Sequence, residues 1–174
     1  MMKISRIFPI LTAALLLILP SCFSDDKQED YAEWRLLNTQ AFNDSLLLTG
    51  PDGLPVFTEI SPKWDQSFSI LMRWHNDRSE NTNYLTPFSN SRCHVKYTLM
   101  NIEGDTLDSS PSFTCVPNQM VTGFMAAVMN MQVNDSVTAI LPYTAGYGAF
   151  GYGSVLPYST LVFAVRLDSI SKLM

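Results

Sequence analysis

Few side chains in this chain could bind a metal or act as a catalytic nucleophile, and their spacing argues against several kinds of site. The two histidines, His75 and His94, have no carboxylate or thiol at a metal-binding spacing, so we expect no metal site. No serine lies in a nucleophile elbow, which argues against a hydrolytic triad. Residues 146–151 spell G-x-G-x-x-G, but a dinucleotide site needs a helix after the glycines, and Gly153 and Pro157 follow instead. We therefore expect neither a metal nor a nucleotide cofactor.

The composition predicts a folded, acidic protein. Of 174 residues, 47% are hydrophobic and 16% are charged, whereas an average soluble domain has about 25% charged residues. This length accommodates one ordinary domain with an appendage. The formal net charge is −5 and no basic cluster occurs, so nucleic acid is not expected as a partner.

Apolar periodicity predicts a helix near the start of the folded region. The pattern begins at residue 30 or 31 and ends before the turn residues 50–53. The apolar stripe of this amphipathic helix would consist of Tyr31, Trp34, Leu37 and Ala41, flanked by Leu36 and Phe42.

The rest of the chain reads as strands around one short helix. Strands are predicted at residues 67–74, 93–99, 113–115, 137–141 and 161–167, with turns at 103–105 and 134–135. A short helix is predicted before the strand at 137–141. Its apolar face would consist of Val121, Phe124, Met125, Val128 and Met129. Antiparallel strands packed on a single helix make an α+β domain.

Cys93 and Cys115 fall at inward-facing positions of the predicted strands. Buried thiols often pack as small hydrophobic groups, which favours two free cysteines. A disulfide between them, which an oxidising compartment would permit, is the alternative.

Five short motifs occur in a fixed order between residues 95 and 170. They are V-K-Y-T at 95–98, L-D-S-S at 107–110, M-V-T-G-F at 120–124, Y-G-A-F-G at 147–151 and L-P-Y-S-T-L-V-F at 156–163. In this order they resemble the signature motifs of FKBP-type peptidyl-prolyl cis–trans isomerases, the immunophilin class that binds macrolides. The resemblance implies a strongly curved antiparallel sheet packed on one short helix, and rotation of prolyl peptide bonds as the activity.

The resemblance also implies a role for individual residues. Tyr97, Phe113, Phe124 and Phe163 would form an aromatic box around the prolyl ring, Asp108 would orient Tyr97 and the substrate, and the Tyr147 hydroxyl would donate to the substrate carbonyl. The catalytic set implied is Tyr97, Asp108, Phe124, Tyr147 and Phe163, and the substrate-binding set is Leu107, Phe113, Met120, Val121 and Val155. The alternative, strongest for Phe113 and Phe163, is that the aromatic residues belong to the core.

Four positions depart from the family pattern. Leu99 replaces a glycine, Leu107 replaces a phenylalanine, Phe124 replaces the tryptophan of the pocket floor, and Leu156 replaces the first proline of a proline pair. Leu107 and Phe124 provide less apolar surface than the family's residues. Two other functions therefore stay open: a non-catalytic chaperone or peptide-binding module with the same fold, and a structural or ligand-binding surface lipoprotein.

The first residues predict export. Lys3 and Arg6 precede an apolar run of about a dozen residues, shorter than the roughly 20 needed to span a bilayer, as in a signal peptide. Leu-Pro-Ser-Cys at 19–22 resembles the lipobox of bacterial lipoproteins, which implies removal of residues 1–21 and acylation of Cys22. A plain signal peptide with an incidental Cys22 is the alternative.

The predicted organisation has four parts. They are a signal peptide at 1–21, a lipidated cysteine and acidic tether at 22–30, an N-terminal extension at 31–88, and an FKBP-like domain at 89–174. The acidic tether resembles the surface-export signal of Bacteroidetes lipoproteins, or is an ordinary linker.

The predicted partners follow from the resemblance and the anchor. They are proline-containing unfolded or exported polypeptides, and the cell envelope, at the periplasmic or surface face of the outer membrane. The helix of the extension either forms a homodimer or packs on its own domain.

Overall fold

The computed structural model describes residues 31–171 of the chain. The predicted signal peptide, Cys22 and the acidic tether lie outside the described residues. The secondary structure consists of helix α1 (Ala32–Leu47), strands β1 (Thr58–Ile60), β2 (Ile70–Trp74), β3 (Arg92–Met100) and β4 (Thr106–Cys115), helix α2 (Thr122–Met129), and strands β5 (Ser136–Leu141) and β6 (Leu161–Ser171). Short 3-10 turns occur at Arg78–Glu80, Pro117–Gln119 and Tyr143–Ala145. None of the described helices is both long and apolar enough to cross a lipid bilayer.

The described strands form one antiparallel sheet in the order β1-β2-β5-β6-β3-β4. The α+β prediction is thus confirmed, with α2 packed on the sheet through contacts to β2 and β5. Strand β2, which the sequence assigned to the N-terminal extension, is hydrogen-bonded to β5 and so belongs to the same sheet as β3 and β4. The predicted strand at 67–74 begins only at Ile70, because pairing with the three-residue β1 starts there.

The alternation of buried and exposed side chains along β3 agrees with the prediction. Cys93, Val95 and Leu99 are buried in the core, while Lys96 faces solvent, as expected for a strand with one covered face. The turn residues also agree: Gly104 has a φ of 90° between β3 and β4, and Asn134 has a φ of 76° before β5. Glycine and asparagine adopt this left-handed conformation more readily than other residues.

Helix α2 buries a broader face than the spacing predicts. Phe124 and Val128 are buried as expected, but Ala126 and Ala127 are also buried, whereas Met125 and Met129 are only partly covered. The small side chains allow the helix to approach its neighbours closely, so that more than one stripe is covered.

Cys93 and Cys115 are directly opposite each other on β3 and β4, and both are buried free thiols. The free-thiol prediction therefore agrees with the structure. A hydrogen bond with Cys115 and burial both raise the pKa of Cys93, so that it stays a neutral thiol.

Helix α1 occupies the predicted range, and three of the four predicted stripe residues, Tyr31, Trp34 and Ala41, are partly buried. Leu36 and Leu37 are exposed, and the one fully buried residue of α1 is the polar Asn38. The helix docks through hydrogen bonds rather than through a continuous apolar stripe, which periodicity alone does not predict.

Candidate active site

A pocket of about 300 Å³ opens where five parts of the fold meet. Strands β3, β4 and β6, the start of α2 and the segment after β5 supply its walls. The lining residues are Tyr97, Leu99, Asp108, Phe113, Gln119, Met120, Val121, Phe124, Tyr147, Tyr152 and Phe163. This volume lies at the lower end of small-molecule sites, which suits one side chain and its adjoining backbone.

Four aromatic rings make the apolar part of the pocket. The Tyr97 ring meets Phe113 edge-on at a centroid distance of 5.4 Å and is 6.4 Å from Phe124, and Phe124 is 5.0 Å from Phe163. Edge-to-face and tilted arrangements at these distances are favourable for aromatic rings. Phe124 and Phe163 are buried, so they act as both core and pocket floor, while Tyr97 and Phe113 are partly exposed at the wall.

The register of the sheet aims Tyr97 and Asp108 into the same cavity. Asp108 is opposite Leu99 on β3, two residues from Tyr97 on the same face of that strand. The Tyr97 hydroxyl donates a hydrogen bond of 2.5 Å to Asp108 Oδ2, and the backbone N–H of Ser109 donates one of 2.8 Å to Asp108 Oδ1. Burial and this hydrogen bond raise the pKa of Tyr97 to about 12, so Tyr97 remains a donor at neutral pH.

Tyr147 enters the pocket from the segment between β5 and β6. Its ring stacks on Tyr152 at 5.4 Å with an interplanar angle of 14°. Burial, followed by the nearby negative charge of Asp108, raises the pKa of Tyr147 above its ordinary value. Its hydroxyl therefore stays protonated and can donate a hydrogen bond into the cavity.

Eight of the ten predicted site residues line the pocket, and Leu107 and Val155 do not. Leu107 is the extra residue of a bulge between the pairs Leu99–Asp108 and Met100–Thr106, and it packs against the core. Val155 is buried in the core, and its backbone exchanges two hydrogen bonds of 2.9 Å with Tyr152. Both residues pack on the core and do not line the cavity.

Gln119 and Tyr152 line the pocket without having been predicted as site residues, and Leu99 was noted only as a departure from the family pattern. Tyr152 had a signal in the sequence, because an aromatic residue between Gly151 and Gly153 resembles the setting of Tyr147. Gln119 had none, since its place at the pocket depends on the turn that precedes α2.

Comparison with known proteins yields a consistent set of similarities. A family model described as FKBP-type peptidyl-prolyl cis-trans isomerase matches residues 85–168. A curated relative, the macrophage infectivity potentiator of Trypanosoma cruzi, is 35% identical over 89 residues, which are 48% of this chain and 45% of that protein. The chain thus matches less than half the length of this relative.

Two solved structures share the fold. A peptidyl-prolyl cis-trans isomerase from Pseudomonas syringae pv. tomato has a TM-score of 0.65 and 24% identity, covering 80% of this chain and 96% of its own. FkpA from Escherichia coli has a TM-score of 0.67 and 17% identity, covering 84% of this chain and 63% of its own. At these identities the likeness concerns the arrangement of the backbone.

Proposed function

Residues 85–168 belong to the FKBP-type peptidyl-prolyl cis–trans isomerase family, and from this premise we propose that the chain catalyses rotation of X-Pro bonds in polypeptides. The observation that carries the proposal is the convergence of four aromatic rings, the Asp108 carboxylate and the Tyr147 hydroxyl on one pocket of about 300 Å³. Five residues, Tyr97, Asp108, Phe124, Tyr147 and Phe163, are proposed to contact the substrate or to hold the groups that do.

The reaction needs a pocket with these properties. Rotation about an X-Pro bond has a barrier of about 18–20 kcal/mol, because the twisted state loses amide resonance. The twisted amide has lost much of its planar dipole, so an apolar cavity disfavours it less than the planar ground state. The ring box of Tyr97, Phe113, Phe124 and Phe163 supplies this cavity.

Two polar groups complete the proposed mechanism. Tyr147 donates from its hydroxyl to the carbonyl of the residue before proline, which holds that carbonyl while the prolyl ring turns. Asp108 accepts from Tyr97 and thereby fixes one wall of the box. No covalent bond forms or breaks, and each tenfold acceleration needs only about 1.4 kcal/mol of preferential stabilisation of the twisted state.

A protease-coupled assay with a proline peptide tests the activity. The purified protein should accelerate cis-to-trans conversion above the uncatalysed rate, and Asp108→Ala and Tyr147→Phe should each reduce that acceleration. If the parent protein shows no acceleration, or if both variants equal the parent, the catalytic proposal is wrong.

A second candidate function, a chaperone that holds unfolded chains, is favoured by exposed apolar side chains on the segment between β5 and β6. Phe150 is 92% exposed and Tyr152 is 73% exposed, and Leu156 is also exposed on the same segment. Large apolar groups on a surface often mark binding sites for other polypeptides. Suppression of aggregation that persists in Tyr147→Phe but is lost in Phe150→Ser would support this function; equal loss in both variants would contradict it.

We also propose that the protein is exported and anchored through a lipid on Cys22. The supporting observations are the basic residues, the apolar run and the Leu-Pro-Ser-Cys motif at 19–22. Two or more acyl chains are enough for stable anchoring, since each buried methylene contributes about 0.8 kcal/mol. Cys22→Ser should release the protein from the membrane fraction, and a mass matching an unmodified chain in that fraction would refute the proposal.

A homodimer through α1 is proposed on the basis of its uncovered leucines. Leu36 is 65% exposed and Leu47 is 76% exposed, on a helix that already holds its own domain through Asn38. Light scattering should give twice the monomer mass, and Leu36→Glu should restore the monomer. A monomeric parent protein at micromolar concentration would overturn the proposal.

A further inference from the structure

The segment between β5 and β6, residues 142–160, carries two residues of the pocket wall and is called the pocket loop below. Helix α1 contacts this loop near both of its ends. Near its start, Arg35 Nη2 donates to the Tyr143 hydroxyl at 3.1 Å. Near its end, Trp34 Nε1 donates to Ser159 Oγ at 3.0 Å, although the two residues are 125 positions apart in the sequence. The loop is thus held by a helix that contributes no residue to the pocket lining and that lies outside the matched family region.

Asn38 is the central residue of this contact. It is 0% exposed, and both polar groups of its amide are used: Oδ1 accepts from the Thr160 backbone N–H at 2.7 Å, and Nδ2 donates to the Trp34 carbonyl at 2.8 Å. The Thr160 hydroxyl also donates to the Asn38 carbonyl at 3.0 Å. A buried amide is costly unless it is hydrogen-bonded, so this site tolerates an asparagine only because Thr160 lies against it.

The contact continues from α1 to Tyr147 through Tyr158. The Arg35 guanidinium lies 5.0 Å from the centroid of the Tyr158 ring, within the range of a cation–π interaction. Tyr158 has a φ of 61°, a left-handed conformation that is unfavourable for a tyrosine and that its surroundings must hold in place. The Tyr158 N–H donates to the Gly148 carbonyl at 2.9 Å, and Gly148 directly follows Tyr147.

We propose that α1 is a positioning element of the active site, in which Asn38, Trp34 and Arg35 hold the pocket loop and thereby set the place of the Tyr147 hydroxyl. The inference rests on the proposed function, because Tyr147 is the donor of that mechanism. Asn38 touches no substrate, and it acts through the loop. A hydroxyl displaced by a fraction of an ångström loses its hydrogen bond to the carbonyl, whereas the aromatic box on β3, β4, β6 and α2 is unaffected.

The test compares Asn38→Ala with Asn43→Ala, a matched substitution at an exposed position of the same helix. We expect Asn38→Ala to lower kcat/KM by about 2- to 10-fold, the range for loss of one hydrogen bond, and Asn43→Ala to leave it unchanged. In a Tyr147→Phe background, Asn38→Ala should have little further effect, because the group it positions is gone. Additive losses, or no loss in Asn38→Ala, would overturn the proposal.

Two further measurements keep the result unambiguous. Trp34→Phe keeps an aromatic side chain but removes the indole N–H that donates to Ser159, so it tests the contact if Asn38→Ala fails to fold. Amide hydrogen exchange at Gly148 and Tyr158 needs no activity: faster exchange in the Asn38 variant than in the Asn43 variant shows the coupling even if the parent is not an isomerase. Unchanged exchange with an active parent refutes the coupling and leaves the proposed function intact.

Discussion

Asp108 allows the sharpest test of how the pocket is organised. Among the described residues lining the pocket it alone carries a carboxylate, and it accepts from Tyr97 at 2.5 Å and from the Ser109 N–H at 2.8 Å. The substitution Asp108→Ala leaves the Tyr97 hydroxyl without its acceptor. The Tyr97 ring, which is 5.4 Å from Phe113, is then free to turn within the box.

The expected loss of activity in Asp108→Ala follows from the charge on the hydrogen-bond acceptor and from the solvent exposure of Asp108. A hydrogen bond to a charged group contributes about 1.5–3 kcal/mol. Asp108 is exposed to solvent, so water replaces part of this interaction and we expect about 1 kcal/mol to remain. Since about 1.4 kcal/mol corresponds to a tenfold change in rate, kcat/KM should fall roughly fivefold.

The assay is the protease-coupled isomerisation of a proline peptide, with urea unfolding measured in parallel. Glu103→Ala is the matched control, because this exposed carboxylate lies on the same β3–β4 hairpin outside the pocket. Tyr97→Phe completes a double-mutant cycle, in which the second substitution should cost little once the first is present. Full activity in Asp108→Ala, or additive losses in the cycle, would refute the assignment of Asp108 as the group that orients Tyr97.

Three other predictions concern the donor, the packing and the pH dependence. Tyr147→Phe should lower kcat/KM by about 2- to 10-fold, the effect of one lost hydrogen bond, with little change in the urea midpoint; a large stability loss would show a structural role instead. Gly123→Ala should destabilise the fold by about 1–3 kcal/mol, although alanine favours helix formation more than glycine does. The reason is that the added Cβ would lie 2.6 Å from the Leu141 side chain and 2.9 Å from the Ala145 carbonyl oxygen. A raised urea midpoint would contradict this packing. The pKa of Tyr97 is raised to about 12 in the folded protein, which means that folding favours the neutral phenol. Tyr97 therefore contributes its full stabilisation of the fold below about pH 10, and this contribution is lost as the pH rises toward 12. Urea midpoints between pH 9 and 11.5 should therefore fall less steeply in Tyr97→Phe than in the parent, and parallel curves would exclude the effect.

Local features of the chain were predictable because they depend on neighbouring residues. The inward alternation of Cys93, Val95 and Leu99 follows from the two-residue period of a strand, and the left-handed backbone at Gly104 and Asn134 follows from turn chemistry. The ordered motifs also identified most of the pocket lining, because each motif marks a short segment of one strand, helix or loop.

The structure differs from the predictions where the position of a residue depends on residues that are distant in the sequence. Leu107 and Val155 pack on the core and do not line the pocket, because a bulge and a backbone bridge set their orientation. Strand β2 belongs to the sheet because β5 pairs with it. The spacing of an isolated helix placed Leu37 on one stripe with Tyr31, Trp34 and Ala41; those three are partly buried, but Leu37 is exposed and Asn38 is buried instead.

The sequence by itself determined the periodicities, the turns and the set of chemical groups available to the site. The tertiary structure alone decided that Asn38 rather than Leu37 is buried on α1, and what holds the pocket loop. The physical reason is that an amide such as that of Asn38 can be buried only where a partner satisfies it, and its partner, Thr160, is 122 residues away along the chain.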